Sequence, residues 1–482
     1  MLNEQRRAPL FEALKEHALK KPAGFHIPGH GQGRGLPAEL LSLGGQALFA
    51  FDLTELPGLD DLHNPGGPIA GAQALAAKSY GADQSFFLIN GTTVGIHALI
   101  TALVGQGKVI IPRNAHRSVL GGLVLSGADP VYVLPGIIPE FEVDCGVTPA
   151  CIRQALGLNP DTAAALAVRP NYYGIAGDLA GQVLAAHEAG IPVLVDEAHG
   201  PHLRFHHALP ADAMAAGADA AVQSMHKLGG SLGQSSMLHL QGDLVDADAV
   251  AASLRLLQTT SPSYILLASL DLARRQMFLH GEELMEKALT LARDIRQKLS
   301  GIRNLRILTS DCLPEQRCEL DTTKLVISVR GLGLTGYQVS GLLSGRYRIF
   351  IEMADFNNIV AVISTGTTSE DCDELADALK DITARDKLPA LPPLPGTPLR
   401  YKKIMKPRDA WFAPAKKVPL AEARGRICAE AVAVYPPGVP ALNPGEEITG
   451  DIYEYLQRIR EMGLPCHGPS DTTLKTIKIV IE

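Results

Sequence analysis

Apolar residues recur at helical spacing at the start of the chain: Leu10, Phe11, Leu14 and Leu19 share one face of a helix expected over residues 5–20. The pattern breaks at FHIPGHGQGRGLP (25–37), a Gly-rich loop too irregular for a helix or a strand. From about residue 70 a new rhythm begins. AGAQALAAKSYG (70–81) predicts a helix stopped by Gly81, SFFLIN (85–90) a short strand, and the segment after Gly91-Thr92-Thr93 a helix through Leu103. Strands are then expected at KVIIP (108–112), PVYVLP (130–135), AAALAVRP (163–170), IPVLVDEAH (191–199) and ADAAVQSMHK (218–227). Helices are expected between them at 119–127, 148–157 and 179–190. Strands that are apolar on both faces and alternate with helices describe a mostly parallel sheet sandwiched by helices, the α/β class. Ligands in such sheets bind outside the carboxyl ends of the strands.

Residues 249–300 carry a helical pattern. TKLVISVRGL (323–332), YRIFIEMAD (347–355) and NNIVAVIST (357–365) predict three strands, and SEDCDELADALKDI (369–382) an amphipathic helix with Ser369 as its cap. LPALPPLPGTP (388–398) has the composition of a stiff linker. The expected division is an N-terminal arm and Gly-rich loop (1–70), a large sheet domain (71–305), a small α/β lobe (306–387), and the Pro-rich linker with a C-terminal domain (388–482). No repeat of 20–50 residues is visible.

Composition narrows the class. The chain has 482 residues, 46% hydrophobic and 20% charged, which is globular rather than disordered. A net charge of −7 argues against nucleic acid or an anionic membrane as partner. Seven cysteines without a C-x-x-C pair suit neither a disulfide scaffold nor a tetrahedral zinc site. Ser85 to Gly107 carries no Asp, Glu, Lys or Arg, but Asn90, Thr92, Thr93 and His97 lie within it. Buried strand, turn and helix account for it better than a membrane span. The charged opening, MLNEQRRAPLFEALKEH, lacks the apolar core of a signal peptide, so the expected compartment is the cytoplasm.

Four segments carry candidate chemistry. Ser224-Met225-His226-Lys227 leads from a strand into LGGSLGQSS, where Gly229, Gly230 and Gly233 let backbone approach a ligand. An ordinary lysine here would be a surface residue in a flexible loop. Asp196 ends the apolar run IPVLVDEAHG, and a buried carboxylate needs a cationic or hydrogen-bonding partner. Its bland role is to cap a turn. His199 follows three residues later. Asn90-Gly91-Thr92-Thr93 lies between strand and helix, where free N–H groups and hydroxyls suit a phosphate, although many strand–turn–helix junctions begin so. His116, in RNAHRS (113–118), could stack on an aromatic ring or be an ordinary satisfied histidine. A phosphate cradle, a stacking histidine, an acid for a ring nitrogen and a lysine for an aldehyde are together the requirements of pyridoxal 5′-phosphate (PLP).

The chain resembles the Orn/Lys/Arg decarboxylases, within the aspartate-aminotransferase-like, fold-type I PLP enzymes. The matching stretches are PGHGQG (28–33), DLTELPGLDDLHNPGGPI (52–69), NGTTVGIHA (90–98), RNAHRSV (113–119), VDEAHGPH (195–202), SMHKLGGSLGQSS (224–236), TTSPSYILLASLD (259–271), IEMAD (351–355) and YPPGVP (435–440). It is similar to the short form, without the N-terminal response-regulator-like domain of the long acid-induced members, so their ring assemblies and regulation are not carried over. The resemblance implies that Lys227 bonds the cofactor aldehyde, Asp196 pairs with the ring nitrogen and His116 stacks on the ring. It implies that Gly91, Thr92, Thr93, Ser224 and His226 hold the phosphate and that His199 lies beside the ring. It also implies a homodimer in which Ser261 reaches the partner's phosphate. The implied activity is decarboxylation of a basic amino acid in polyamine metabolism, arginine being favoured over lysine and ornithine, with Lys227 or His226 as proton donor to the α-carbon. The rival readings are another enzyme of the same fold, an aminotransferase or aldolase-type lyase, and a non-catalytic binding protein. For the cationic end of the substrate the candidates are Glu352 and Asp355. Strand alternation allows only one of them inward, and Glu352 is favoured. Asp60 and Asp61 are next.

Overall fold

The computed structural model describes residues 2–314, 318–385, 401–434 and 440–481. The Pro-rich stretch 388–398 and residues 435–439 of YPPGVP lie outside them. The fold is mixed α/β, as expected, and the chain divides into two compact units, Met1–Leu103 with Leu194–Met285 and Val104–Val193 with Glu286–Glu482.

In the first unit, strand Gln84–Leu88 pairs antiparallel with Ser236–Leu240, which pairs antiparallel with Ala220–Gln223. Ala220–Gln223 pairs parallel with the strand ending at Asp196. Only Ser236–Leu240 is therefore reversed, and the residues that follow Leu88, Asp196 and Gln223 open at one edge. Helix Pro68–Tyr80 starts with proline at its first turn and ends on Gly81 in the left-handed region (φ 68°). A Cβ at Gly81 would lie 2.4 Å from an Arg204 guanidinium nitrogen, so both space and backbone demand glycine. The first helix, Pro9–Leu19, buries Leu10 and Leu14 fully but leaves Leu19 71% exposed, so the apolar face ends a turn earlier than the spacing suggested. Its start is anchored from far along the chain. Asp271 accepts from the Leu10 and Phe11 N–H groups (3.0 and 3.4 Å), and Arg274 joins Asp271 to the Gln5 and Arg7 carbonyls.

In the second unit, Lys108–Pro112 pairs parallel with both Asp129–Val133 and Thr162–Val168. Helices Arg117–Ser126 and Pro149–Leu158 follow, the latter capped by the Thr148 side chain. Lys324–Ser328 and Asn358–Val362 centre a four-stranded antiparallel sheet packed on helix Ser369–Arg385. Near the C-terminus, Ala415–Pro419 pairs with Thr476–Val480, and helix Gly450–Glu461 contributes Ile452, Leu456 and Ile459 to a separate core.

Three expectations are corrected. The segment 347–355 is not one strand: Leu343–Tyr347 is a wide helical turn, Arg348 is left-handed (φ 58°), and only Met353 and Ala354 find strand partners, in Val360 and Ile359. The apolar run Ile349–Ile351 imitated a strand but has no ladder to join. The strand predicted to reach Lys227 stops at Gln223, and Met225–Leu228 forms a single helical turn. The helical stretch 249–300 is two helices, Ala247–Leu257 and Tyr264–Ser300, broken around Pro262. The strand Ser236–Leu240, buried along its whole length, and the helix Ala38–Phe49 were not anticipated. Among the described residues no helix is long and apolar enough to cross a membrane.

Candidate active site

The shared strand edge of the first unit collects most of the anticipated residues. After strand Gln84–Leu88 the chain turns through Gly91, whose φ of 71° suits glycine and whose N–H donates to the Gln234 carbonyl (2.9 Å). Helix Gly91–Leu103 starts there. Thr92 Oγ1 lies 3.2 Å from Ser224 Oγ, a hydroxyl from the neighbouring loop. Two converging hydroxyls at a helix start with free N–H groups form a cradle for an anion. Thr93 is exposed at the same start.

Lys227 Nζ is 2.9 Å from His199 Nε2, so a single proton lies between two nitrogens. The single helical turn of Met225–Leu228, absent from the sequence expectation, places this amine. Asp196 is buried at 6% exposure and accepts from the Ala198 N–H (3.1 Å). Among the described residues no Lys, Arg or His forms a salt bridge with it. His226 Nδ1 lies 2.9 Å from the Ser235 carbonyl. If it donates there, Nε2 is left with its lone pair when the ring is neutral. Burial first, and then the Lys227 charge, pull the His226 pKa below the ordinary histidine value against the opposing pull of that carbonyl.

A buried polar layer behind this edge was not visible in the sequence. Glu197, fully buried, accepts from the Ala213 N–H (2.8 Å) and from Gln223 Nε2 (2.7 Å). Gln223 Oε1 meets His239, whose other ring nitrogen meets Ser85 Oγ (2.7 Å). Burial, with the nearby Arg204 charge, pushes the His239 pKa down to about 3. Charged-looking letters inside apolar strands were the only available signal.

The TTSPS run lies beside the anion cradle of its own chain: Thr259 N donates to Asn90 Oδ1 (3.2 Å) and its carbonyl meets His63 Nε2 (2.8 Å). Ser261 is exposed. Asp60 is occupied, accepting from the N–H groups of Gly66, Gly67, Ile69 and Ala70 at the start of helix Pro68–Tyr80. Burial raises its pKa, but these N–H donors and that of Asp61 outweigh it and hold the acid below its ordinary value. Asp61 accepts from the His63 N–H (2.8 Å).

In the second unit, His116 caps helix Arg117–Ser126, accepting from the Ser118 N–H (3.2 Å) with Ser118 Oγ at 2.9 Å. Asp355 is half-buried and used by its surroundings. It accepts from Tyr173 Oη (2.8 Å), the Asn357 and Asn358 N–H groups (both 2.7 Å) and Asn358 Nδ2. Glu352 is exposed, one residue before the two-residue strand, so the alternation that favoured it does not operate there.

A lysine amine, a buried acid without a cation and an anion cradle at one edge of a mostly parallel sheet are the equipment of an α/β enzyme that acts on amines. The profile described as "Orn/Lys/Arg decarboxylase, major domain" matches residues 8–371, and "Orn/Lys/Arg decarboxylase, C-terminal domain" matches 400–469. The chain belongs to the Orn/Lys/Arg decarboxylase family and is a decarboxylase. It is 42% identical over 489 residues to an arginine decarboxylase of Bacillus subtilis, covering 99% of both chains. It is 41% identical over 492 residues to an arginine decarboxylase of Bacillus anthracis, covering 99% of this chain and 98% of that one. The fold is similar to that of the constitutive lysine decarboxylase of E. coli (TM-score 0.84, 19% identity, 99% of this chain and 82% of that one).

Proposed function

We propose that the chain is a PLP-dependent decarboxylase of L-arginine, with lysine and ornithine as poorer substrates, and that it supplies an amine to polyamine metabolism as a cytoplasmic homodimer. The observation that carries the reading is the buried Asp196 without a cation, one strand away from the Lys227–His199 pair. A carboxylate so placed is costly unless a cation arrives. A protonated pyridine nitrogen is such a cation. The substrate preference rests on the arginine decarboxylases similar along the full length of the chain.

The residues fit the cofactor. Thr92, Thr93, Ser224, His226 and the N–H groups after Gly91 would hold its phosphate, Asp196 its ring nitrogen and His116 its ring face. Ser261 would serve the phosphate of the partner's site. When bound, PLP supplies an aldehyde for amines and an electron-poor ring that draws electrons from the substrate α-carbon. The protein contributes proton control. His199 Nε2 can take the proton from Lys227 Nζ, leaving the amine nucleophilic, and can return it. His226, held neutral, does not compete as a charge beside that amine. Lys227 Nζ is the proton donor toward the α-carbon; His226 Nε2, without a proton in the neutral ring, serves there or at the phosphate only after taking one up. Asp355, Asp60 and Asp61 each accept hydrogen bonds from the protein itself, so Glu352 is the carboxylate we assign to the cationic end of the substrate.

Incubation with arginine, lysine and ornithine in turn, followed by amine and CO₂ analysis without a keto-acid acceptor, tests the reading. Agmatine and CO₂ in excess over the other amines are expected. Turnover only with a keto-acid acceptor would make the protein an aminotransferase.

A further inference from the structure

RNAHRS begins with an arginine that the reaction leaves unused. Arg113 is 9% exposed and Glu446, 333 residues later in the C-terminal domain, is 1% exposed. They form a two-pronged ion pair, Nη1 with Oε1 and Nη2 with Oε2 (2.8 Å). Arg113 Nη2 also donates to the Ala441 carbonyl (3.3 Å), and Glu446 Oε2 accepts from the Asn443 N–H (2.8 Å). The guanidinium lies over the rings of Tyr132 (4.8 Å) and Tyr401 (5.1 Å), which meet edge to face. Tyr401 Oη donates to the Tyr132 carbonyl (2.9 Å), and Asn443 Nδ2 donates to Tyr132 Oη (3.2 Å). Burial alone would weaken the arginine's charge, yet Glu446 holds its pKa above the ordinary value.

The restraint continues toward His116. Asn114 Nδ2 donates to Asp144 Oδ1 (2.6 Å), which also accepts from Asn171 Nδ2 (2.9 Å). The Ala115 N–H donates to the Pro112 carbonyl (3.0 Å), and the His116 ring is held by Ser118. A contact that only docked a domain could be apolar, because burying two ions strips each of its water before pairing. The directional two-pronged bond adds a fixed backbone position three residues before His116.

We infer that Arg113 and Glu446 are positioning residues: through them the C-terminal domain sets the conformation of residues 113–118, the segment that carries His116. This rests on the PLP reading above.

The test uses the full-length holoenzyme and four variants: Glu446→Gln, the apolar pair Arg113→Met with Glu446→Leu, His116→Ala, and the apolar pair combined with His116→Ala. Cofactor affinity by fluorescence titration, visible-region circular dichroism of the bound cofactor, kcat and KM for arginine, and thermal unfolding are measured for each. The apolar pair is expected to unfold near the wild-type temperature. It should bind cofactor about 10- to 100-fold more weakly, with an altered visible dichroism band and a similar loss of kcat, and KM should change little. Glu446→Gln should show the same signature at smaller size. Adding the apolar pair to His116→Ala should cost little more than His116→Ala alone, because both act through one ring. Wild-type cofactor affinity and dichroism in the apolar pair, or a loss that adds in full to His116→Ala, would overturn the inference. If the apolar pair does not fold, Glu446→Gln decides by the same criteria. A wild-type protein that binds no cofactor, or a His116→Ala variant equal to wild type, would instead break the underlying reading.

Discussion

Asp196 and Asp271 are both buried carboxylates of the first unit, and they are satisfied in opposite ways. Asp271 is fully buried and accepts from two helix N–H groups and from Arg274, itself fully buried. Asp196, at 6% exposure, accepts one N–H two residues away and has no cationic partner among the described residues. A carboxylate that the chain completes belongs to the fold, and one that it leaves incomplete is available to a ligand. Burial alone does not separate the two cases.

The largest effect falls on the ligand side of this comparison. Lys227→Ala should reduce turnover to background and remove the visible absorbance of the bound cofactor, while unfolding of the cofactor-free protein stays near wild type. A variant that still turned over at the wild-type rate would end the PLP reading. On the fold side, Asp271→Ala leaves Arg274 buried without its partner and frees the start of helix Pro9–Leu19. It should lower stability by about 3–5 kcal/mol in denaturant unfolding. A loss under 1 kcal/mol would show that the pair is readily rehydrated.

Asp196→Asn should leave unfolding almost unchanged, keep cofactor bound and lower kcat by about 10²- to 10³-fold, since a neutral amide no longer favours a protonated ring nitrogen. Near-normal kcat would place Asp196 with Asp271 as a structural acid. Asp60 sharpens the contrast through pH. Its pKa is lowered on folding, so its contribution is present above the ordinary value of 3.8 and is lost as pH falls through the folded value. Asp60→Ala should cost about 0.5–2 kcal/mol at neutral pH. The gap to wild type should shrink in acid, and KM for arginine should not change. The smallest effect is expected at Glu352. Glu352→Gln should raise KM for arginine more than for lysine, because a guanidinium can bond a carboxylate through two prongs. Identical kinetics for all three amino acids would move that recognition elsewhere.

Short-range physics made much of this protein legible. Alternating apolar strands and helices, Gly81 as a helix stop and proline at the first turn of helix Pro68–Tyr80 each act over a few residues, and the observed elements follow them. The cradle was readable for the same reason, since Asn90-Gly91-Thr92-Thr93 carries its own turn chemistry. Ile349–Ile351 misled because an apolar run forms a strand only if another strand offers its N–H and C=O groups, and here none does until Glu352, whose N–H donates to the Val360 carbonyl (3.1 Å).

The sequence by itself determined the α/β class, the strand-end position of Asp196 and the turn that opens helix Gly91–Leu103, because periodicity and turn preference are local properties of the chain. Only the tertiary structure decided that no cation among the described residues reaches Asp196, that Asp271 takes the Leu10 and Phe11 N–H groups, that His199 is the neighbour of Lys227, and that Arg113 is held by Glu446. Those outcomes depend on which groups meet across 28 to 333 positions of chain, where burial strips away water and each polar atom must find its partner in space rather than in sequence.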